Sequence, residues 1–341
     1  MNEAAPPPPA PPATPSEPAK KRVIFPYVLL FISLVTFFSG PLFFLSLYLP
    51  GPMKESKTVI IPRGSSVQEI ATLLDQNDVL INPLLFRLAS RLMAKDQLKA
   101  GEYAFAVGMN VLDVTGALRE GKTVLRQITA PEGLTSHEIT TILQSASALT
   151  GTIKDVPREG SLMPETYRYS YGDSRESVIA RMQSEARAML EELWKNREET
   201  LPLKTPQDAL ILASIVEKET GKHASERPLV ASVFINRMRS SMPLQSDPTV
   251  IYALTGGTGA LGRTLTHADL MSSSPYNTYV NAGLPPTPIC NPGRAALMAV
   301  LHPEKSDFLY FVADGTGGHA FAKTLTEHNK NVTKWISLIK P

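Results

Sequence analysis

From Val23 to Leu49 about 27 successive residues carry no charge and are rich in Phe, Leu and Val. An apolar run of that length predicts a helix long enough to span a bilayer. Lys20, Lys21 and Arg22 precede it, which predicts that the N-terminal tail stays inside and everything after Pro50 lies outside. A cleaved signal peptide would have a shorter apolar core and a small-residue cleavage pattern, and neither is present. Residues 1–22 are dominated by proline and alanine and read as a disordered cytoplasmic tail that cannot build a core. Neither the tail nor the span is expected to touch the core that follows.

Past Lys57 the pattern shortens. Thr58 to Ile61 reads as a strand, Pro62 to Ser66 as a turn with a helix cap, and Val67 to Leu74 as an amphipathic helix. The same unit returns at Gln127–Ala130, Pro131–Thr135 and Ser136–Leu143. Pro62, Gly64, Glu69, Ile70, Thr72 and Leu74 recur at one constant spacing as Pro131, Gly133, Glu138, Ile139, Thr141 and Leu143, the mark of an internal repeat. Between the copies, a helix over Pro83–Ala94, a strand over Gly101–Phe105 and a helix over Asn110–Arg119 are expected. Strand, helix, helix, strand resembles a LysM module, a small fold that grips wall glycan, over residues 50–125; a structural spacer fits the same pattern.

Residues 150–172 are rich in turn formers, and Ser174–Arg197 is a helix with alternating charges. The helix Leu210–Thr220 is then apolar almost all round, which predicts burial. Thr205-Pro206-Gln207-Asp208 is a capping box with proline at the first helical position, and Gly221 supplies a stop. Glu217 and Glu219 at its end point about 200° apart. Glu217 follows the small-residue face Leu210, Ala213 and Ser214, where a substrate has room, and desolvation there would raise its proton affinity. Read from the residues alone, Glu217, Lys218 and Glu219 also fit the solvated last turn of a core helix.

A helix over Ser225–Ser240 is followed by an irregular, aromatic stretch. Gln245, Asp247, Tyr252, Tyr276, Asn277 and Tyr279 lie in it. Flat rings beside amides suit a sugar chain, and proline-braced turns packing tyrosine into a core would use the same residues. The glycines at 256, 257 and 259 lack the lysine of a phosphate loop. Asn291-Pro292-Gly293 caps a helix over Arg294–Leu301. Phe308–Val312 and His319–Phe321 form a hairpin, and a helix over Thr326–Leu338 closes the pattern.

Composition changes little in this picture. A net charge of +2 argues against a nucleic-acid binder, one cysteine (Cys290) excludes internal disulfides, and the six histidines show no metal-ligand spacing. No metal or other cofactor is expected.

The strings Ala213–Thr220, Leu244–Tyr252, Ser274–Tyr279, Gly283–Pro286 and Tyr310–Gly315 with Gly318-His319 resemble the YceG-like family of endolytic murein transglycosylases. The resemblance implies an α+β chain with an N-terminal transmembrane helix (23–49), the LysM-like module (50–125) and a lysozyme-like α+β catalytic domain (126–341). It implies one essential glutamate, Glu217, and lytic cleavage of MurNAc–GlcNAc bonds in nascent peptidoglycan to 1,6-anhydro-MurNAc ends. Glu219, Gln245, Asp247, Tyr252, Tyr276, Asn277 and Tyr279 become candidate substrate contacts. The implied place is the bacterial inner membrane, single-pass with the catalytic domain outside, beside penicillin-binding peptidoglycan synthases. Two alternatives stay open: a glycoside hydrolase using Asp247 as base opposite Glu217, and a non-catalytic wall-binding scaffold.

Overall fold

The computed structural model describes Ala5 and residues 24–339 apart from residue 96. The basic triplet and nearly all of the proline-rich tail lie outside the described residues. The chain is mixed α+β and divides into two compact units, residues 1–122 and 123–341.

The first unit begins with α1 (Ile24–Leu47), apolar throughout and long enough to cross a membrane. Strand β1 (Lys57–Ile61) pairs antiparallel with β2 (Gly101–Phe105), running from Lys57 opposite Phe105 to Ile61 opposite Gly101. Between them lie α2 (Val67–Gln76) and α3 (Pro83–Ala89), the latter continued by a wider turn over Ser90–Ala94; α4 (Val111–Glu120) follows β2. Alternation puts Val59, Ile61, Tyr103 and Phe105 on one buried face, where Ile70, Leu74, Phe86, Val114 and Leu118 complete the core. One expectation fails here. Leu47 at the end of α1 is buried in this core and Phe43 packs against it, because α1 continues helically until its apolar side meets the module. A cut at residue 49 therefore uncovers core surface.

The second unit opens with the repeated motif. Strand β3 (Leu125–Thr129) leads through a turn to α5 (Ser136–Ser145), as β1 leads to α2. The two turns match: Gly64 and Gly133 have φ of +83° and +79°, and Ser66 with Glu69 and Thr135 with Glu138 form equivalent capping boxes. Strand β3 pairs antiparallel with β4 (Thr166–Ser170), inside a stretch read from sequence as turns only. Its alternation was present, with Tyr167 and Tyr169 pointing inward, but its partner lies about forty residues earlier. Helix α6 (Arg175–Lys195) then buries Val178, Met182, Ala186, Met189 and Leu193 beneath its charged face.

Helix α7 (Pro206–Glu219) is the core of this unit. Every residue from Ala209 to Val216 is buried, against α6, α8 (Arg227–Arg239), α9 (Asp247–Thr255) and α11 (Arg294–Leu301). Thr205 and Asp208 form the predicted capping box over Pro206. The stop differs from expectation. Thr220 turns extended, while Gly221 is small because the Gly317 carbonyl presses against its Cα. Helix α9 was read as irregular, although Ser246-Asp247-Pro248 is a helix-start signal. A four-residue turn of helix, α10 (His267–Leu270), follows. The hairpin of β5 (Tyr310–Ala313) and β6 (His319–Ala322) and the closing helix α12 (Leu325–Ile339) appear as predicted.

Leu212 is fully buried at the centre of this cluster. Leu212→Ala should lower the unfolding free energy by about 2–5 kcal/mol, the usual cost of a lost side chain plus a cavity. Urea titration of the wild type and variant checks this, and an exposed control such as Met298→Ala should change it by much less.

Candidate functional site

At the end of α7 the two glutamates enter different surroundings. The Glu217 side chain is 6% exposed. Its Oε1 accepts from Arg227 Nη2 at 3.2 Å and its Oε2 accepts from the Gly293 backbone N–H at 2.9 Å. Arg227 is the first residue of α8, and its Nε is buried with no hydrogen-bond partner among the described residues. Gly293 stands at the N-cap of α11 without a side-chain cap, so its N–H is free to face the carboxylate.

The wall beside Glu217 is the turn after β3. Gly133 donates to the Asn291 carbonyl at 3.0 Å, Asn291 N–H donates to Leu134 O at 2.8 Å, and Lys218 Nζ donates to Gly133 O at 3.3 Å. Glu132 in this turn lies against Gly293, filling the space that a side chain on Gly293 would need. Partial loss of water, and then the charge of Glu217, hold its carboxyl above the ordinary range, with Arg227 opposing.

The small face of α7 does not leave room for a substrate. Ser214 Oγ accepts from Ile289 N–H at 3.0 Å and Cys290 Sγ donates to Ser214 O at 3.3 Å, so the chain before α11 fills that face. Asn291 is fully buried and does not cap α11. Instead its Oδ1 accepts from Leu162 N–H at 2.9 Å, and its Nδ2 donates to Leu134 O, Ser136 Oγ and Glu159 Oε1, each at 3.1 Å. Glu159 also accepts from Ser136 N–H at 2.7 Å and from Tyr252 OH at 3.3 Å. The segment around Glu159 is thereby a tie between α5, α9 and the segment at Asn291 that precedes α11.

Glu219, on the opposite side of α7, accepts from Ser246 Oγ at 2.6 Å. Loss of water around the carboxyl, and the nearby charge of Asp247, push its pKa up to about 7 against the opposing effects of Ser246 and Arg237. Tyr279 OH donates to Asp247 Oδ1 at 2.6 Å. Buried Arg237 donates to Leu309 O at 2.7 Å, Leu244 O at 2.9 Å and Gln245 Oε1 at 3.3 Å. Gln245 itself is exposed and sits at φ +51°.

Of the residues read from sequence, Glu217 stands apart from the rest. Glu219, Asp247, Tyr279 and Gln245 gather around Ser246 and Arg237. Tyr252 and Tyr276 pack ring to ring at 5.0 Å, with Tyr276 OH bonded to Thr287 Oγ1 at 2.8 Å. Asn277 is fully buried. Its Nδ2 is spent on Leu270 O and Ser272, and its Oδ1 accepts from Tyr279 N–H. It braces its loop from inside. The carboxyl brought beside Glu217 is Glu132, and the sequence reading missed it together with Arg227 and Gly293. The repeat was the available signal: it marked the 131–133 turn as a defined structure.

An open cleft of about 510 Å³ lies next to α7, lined by Thr135, Glu138, Lys218, Tyr252, Gly257 and Arg263 among others. Among the described residues no group of three or more His, Cys, Asp or Glu is placed to hold a metal ion.

The profile of the YceG-like family matches residues 59–334. This chain belongs to the YceG-like family. An endolytic murein transglycosylase of Bacillus subtilis (strain 168) is 36% identical over 323 residues, covering 83% of this chain and 87% of the relative. One from Streptococcus pneumoniae serotype 2 (strain D39) is 31% identical over 334 residues, 83% of this chain and 59% of the relative. A crystal structure of a yceG-like protein from Listeria monocytogenes is 34% identical, with a TM-score of 0.49 over 82% of this chain and 99% of that one.

In this YceG-like protein the buried Glu219 makes stability depend on pH. The folded chain keeps its proton up to about pH 7, whereas the unfolded chain releases it near the ordinary value of about 4.3. The folded state therefore binds more protons in between, and stability falls as pH rises from about 4.3 to 7, then levels. At about 1.4 kcal/mol per tenfold change in proton affinity, the total is of order 3 kcal/mol. Urea titrations at pH 5, 6, 7 and 8 should show that fall in the wild type, and Glu219→Gln should remove most of it.

Proposed function

We propose that this chain is an endolytic peptidoglycan lytic transglycosylase in which Glu217 is both acid and base. The observation that carries this reading is a carboxylate at the end of a buried helix, gripped by the Gly293 N–H and Arg227. The cleft of about 510 Å³ lined by its neighbour Lys218 gives a glycan strand a place to lie. The names of the curated relatives support the same activity.

In the first half of the reaction, protonated Glu217 gives its proton to the oxygen bridging MurNAc and GlcNAc, and the bond to the MurNAc anomeric carbon breaks. The substrate's own acetamido oxygen bonds to that carbon, so no second carboxylate is needed as nucleophile. In the second half, ionised Glu217 removes the proton of the C6 hydroxyl, whose oxygen displaces the acetamido group and closes the 1,6-anhydro ring. The proton is restored and no water is consumed. Both Glu217 oxygens accept hydrogen bonds, and protonation of either weakens it as an acceptor. The 3.2 Å contact to Arg227 is the longer of the two. Asp247 accepts from Tyr279 in the Glu219 cluster, which supports a structural role for it over that of a hydrolase base.

In the same reading the strand-helix-helix-strand order of the first unit serves as a LysM-like module, and the second unit is the lysozyme-like catalytic domain. Nascent glycan strands are the substrate, and penicillin-binding synthases are the fitting partners. Helix α1 is a retained span with the N-terminus inside. Protease added outside the inner membrane should digest the chain after Pro50 and spare the tail; release of a cleaved soluble form would sink this topology.

Glu217→Gln keeps shape and removes the titratable proton. It should lower cleavage of isolated wall by at least about 10²–10⁴-fold, the range for general acid–base assistance, with the thermal melt little changed. Mass analysis of wild-type products should find 1,6-anhydro ends, one water lighter than hydrolysed ends.

A further inference from the structure

The turn that the internal repeat duplicates carries opposite charges between its proline and glycine. Where the first copy has Pro62-Arg63-Gly64, the second has Pro131-Glu132-Gly133, on the same backbone with φ of +83° and +79° at the glycines. In the second copy this turn is laced to the site on both sides, through Gly133 to Asn291 and Lys218, and through Leu134 to Asn291. Its acidic side chain is thereby delivered to Gly293, the residue whose N–H holds Glu217 Oε2. Gly133 meanwhile packs beside the Glu217 stem. A side chain at Gly293 would overlap the Glu132 carboxyl, so the glycine there is what lets Glu132 approach.

We propose that Glu132 and Glu217 form a carboxyl pair that holds one proton and one negative charge between them, with Arg227 as counter-cation, so that Glu132 keeps Glu217 in its proton-donating form. This inference rests on the reading of Glu217 as acid and base. Two carboxylates sharing a site do not both ionise readily, and such a pair titrates as a unit. Partial loss of water, and then the charge of Glu217, raise the proton affinity of Glu132, and the same repulsion acts from Glu132 on Glu217. The charged groups facing Glu132 are Glu217 from α7, Arg227 from α8 and Glu165 from the segment before β4. Lys218 donates to the Gly133 carbonyl, and Arg294 is paired with Glu192. Of the charges that act on Glu132, two are carboxylates and one is a cation, which favours a retained proton. The proton balance closes: the pair gives one proton to the leaving oxygen through Glu217 and recovers one from the C6 hydroxyl. Glu132 acts on the proton carrier and does not itself touch the sugar, which makes it a positioning residue.

The test is the pH dependence of kcat/KM for bond cleavage by the full chain in detergent, using wall glycan as substrate. In Glu132→Gln the repelling charge is gone, so Glu217 loses its proton at lower pH. The alkaline limb should move down by about one pH unit, the scale at which two carboxyls titrate as a pair. The loss should be about tenfold on the alkaline side and small at acid pH. Glu132→Asp, which keeps the charge, should return the limb towards the wild-type position, a rescue that a purely structural role would not give. A limb that stays in place in Glu132→Gln, or equal losses in both variants at every pH, would overturn the pair. The readout is bond cleavage, so it is separate from the chemistry of the ends. A shifted limb with hydrolysed ends keeps the pair and discards the internal nucleophile. An unshifted limb with anhydro ends discards the pair and keeps the reading of the site.

Discussion

The arrangement of the second unit depends on the burial of α7 on every side. Eight consecutive buried residues, Ala209 to Val216, leave this helix no solvated face on which to rotate or slide. A fully buried Leu, Ile or Val is worth roughly 1.5–3 kcal/mol relative to exposure, and turning the helix would disturb several at once. The last turn emerges at a fixed angle as a result, and its two glutamates are fixed with it. Their separation by about 200° around the axis assigns them to different neighbours before any hydrogen bond is considered. Glu217 meets backbone and arginine, while Glu219 is closed in behind Ser246.

Those surroundings separate two tasks that sequence alone could not divide. Glu219 is the glutamate that burial drives furthest towards neutrality, yet it is enclosed, and its hydroxyl partner ties α7 to the start of α9. Its chemistry is spent on holding the loop around Gln245 and Asp247 in place. Glu217 keeps polar donors on both oxygens, and the next residue, Lys218, lines a cleft. Desolvation was the expected way to make Glu217 an acid. The structure surrounds it with an N–H, a guanidinium and a second carboxyl, so electrostatic neighbours and not an apolar wall set its environment.

Much of the fold was legible because its signals are local. The caps at Thr205 and Ser66, the period of α2 and α5, and the apolar surface of α7 each depend on residues within one or two turns. What escaped depends on distant partners or on aggregate position. Strand β4 exists because β3 offers an edge about forty residues earlier. Helix α9 carried a start signal that its aromatic and polar body obscured. Gly221 reads as a helix stop but is small because the Gly317 carbonyl approaches it. At the site, Glu217 was found through helix length and family strings. Arg227, Gly293 and Glu132 come from three other elements and carry no motif spacing that links them to α7. Asn277 looked like a sugar ligand because exposed amides on aromatic loops often are. Its complete burial depends on the loop folding back over it, which no local pattern announces.

The internal repeat joins these observations. A strand, a glycine turn and a capped helix recur in both units with matching backbone geometry, so their stability and turn shape owe little to chemistry at the site. In the first unit the turn leads into a self-contained core. In the second, the same turn is pinned by Asn291 and Lys218 at the end of α7, and the residue between its proline and glycine meets the Glu217 environment. The position that holds Arg63 in one copy thus holds a carboxyl beside the Glu217 site in the other. Substitution there can change charge without disturbing the φ of about +80° that the following glycine supplies. The scaffold constrains where the carboxyl stands and leaves its identity free to be set by the needs of the site.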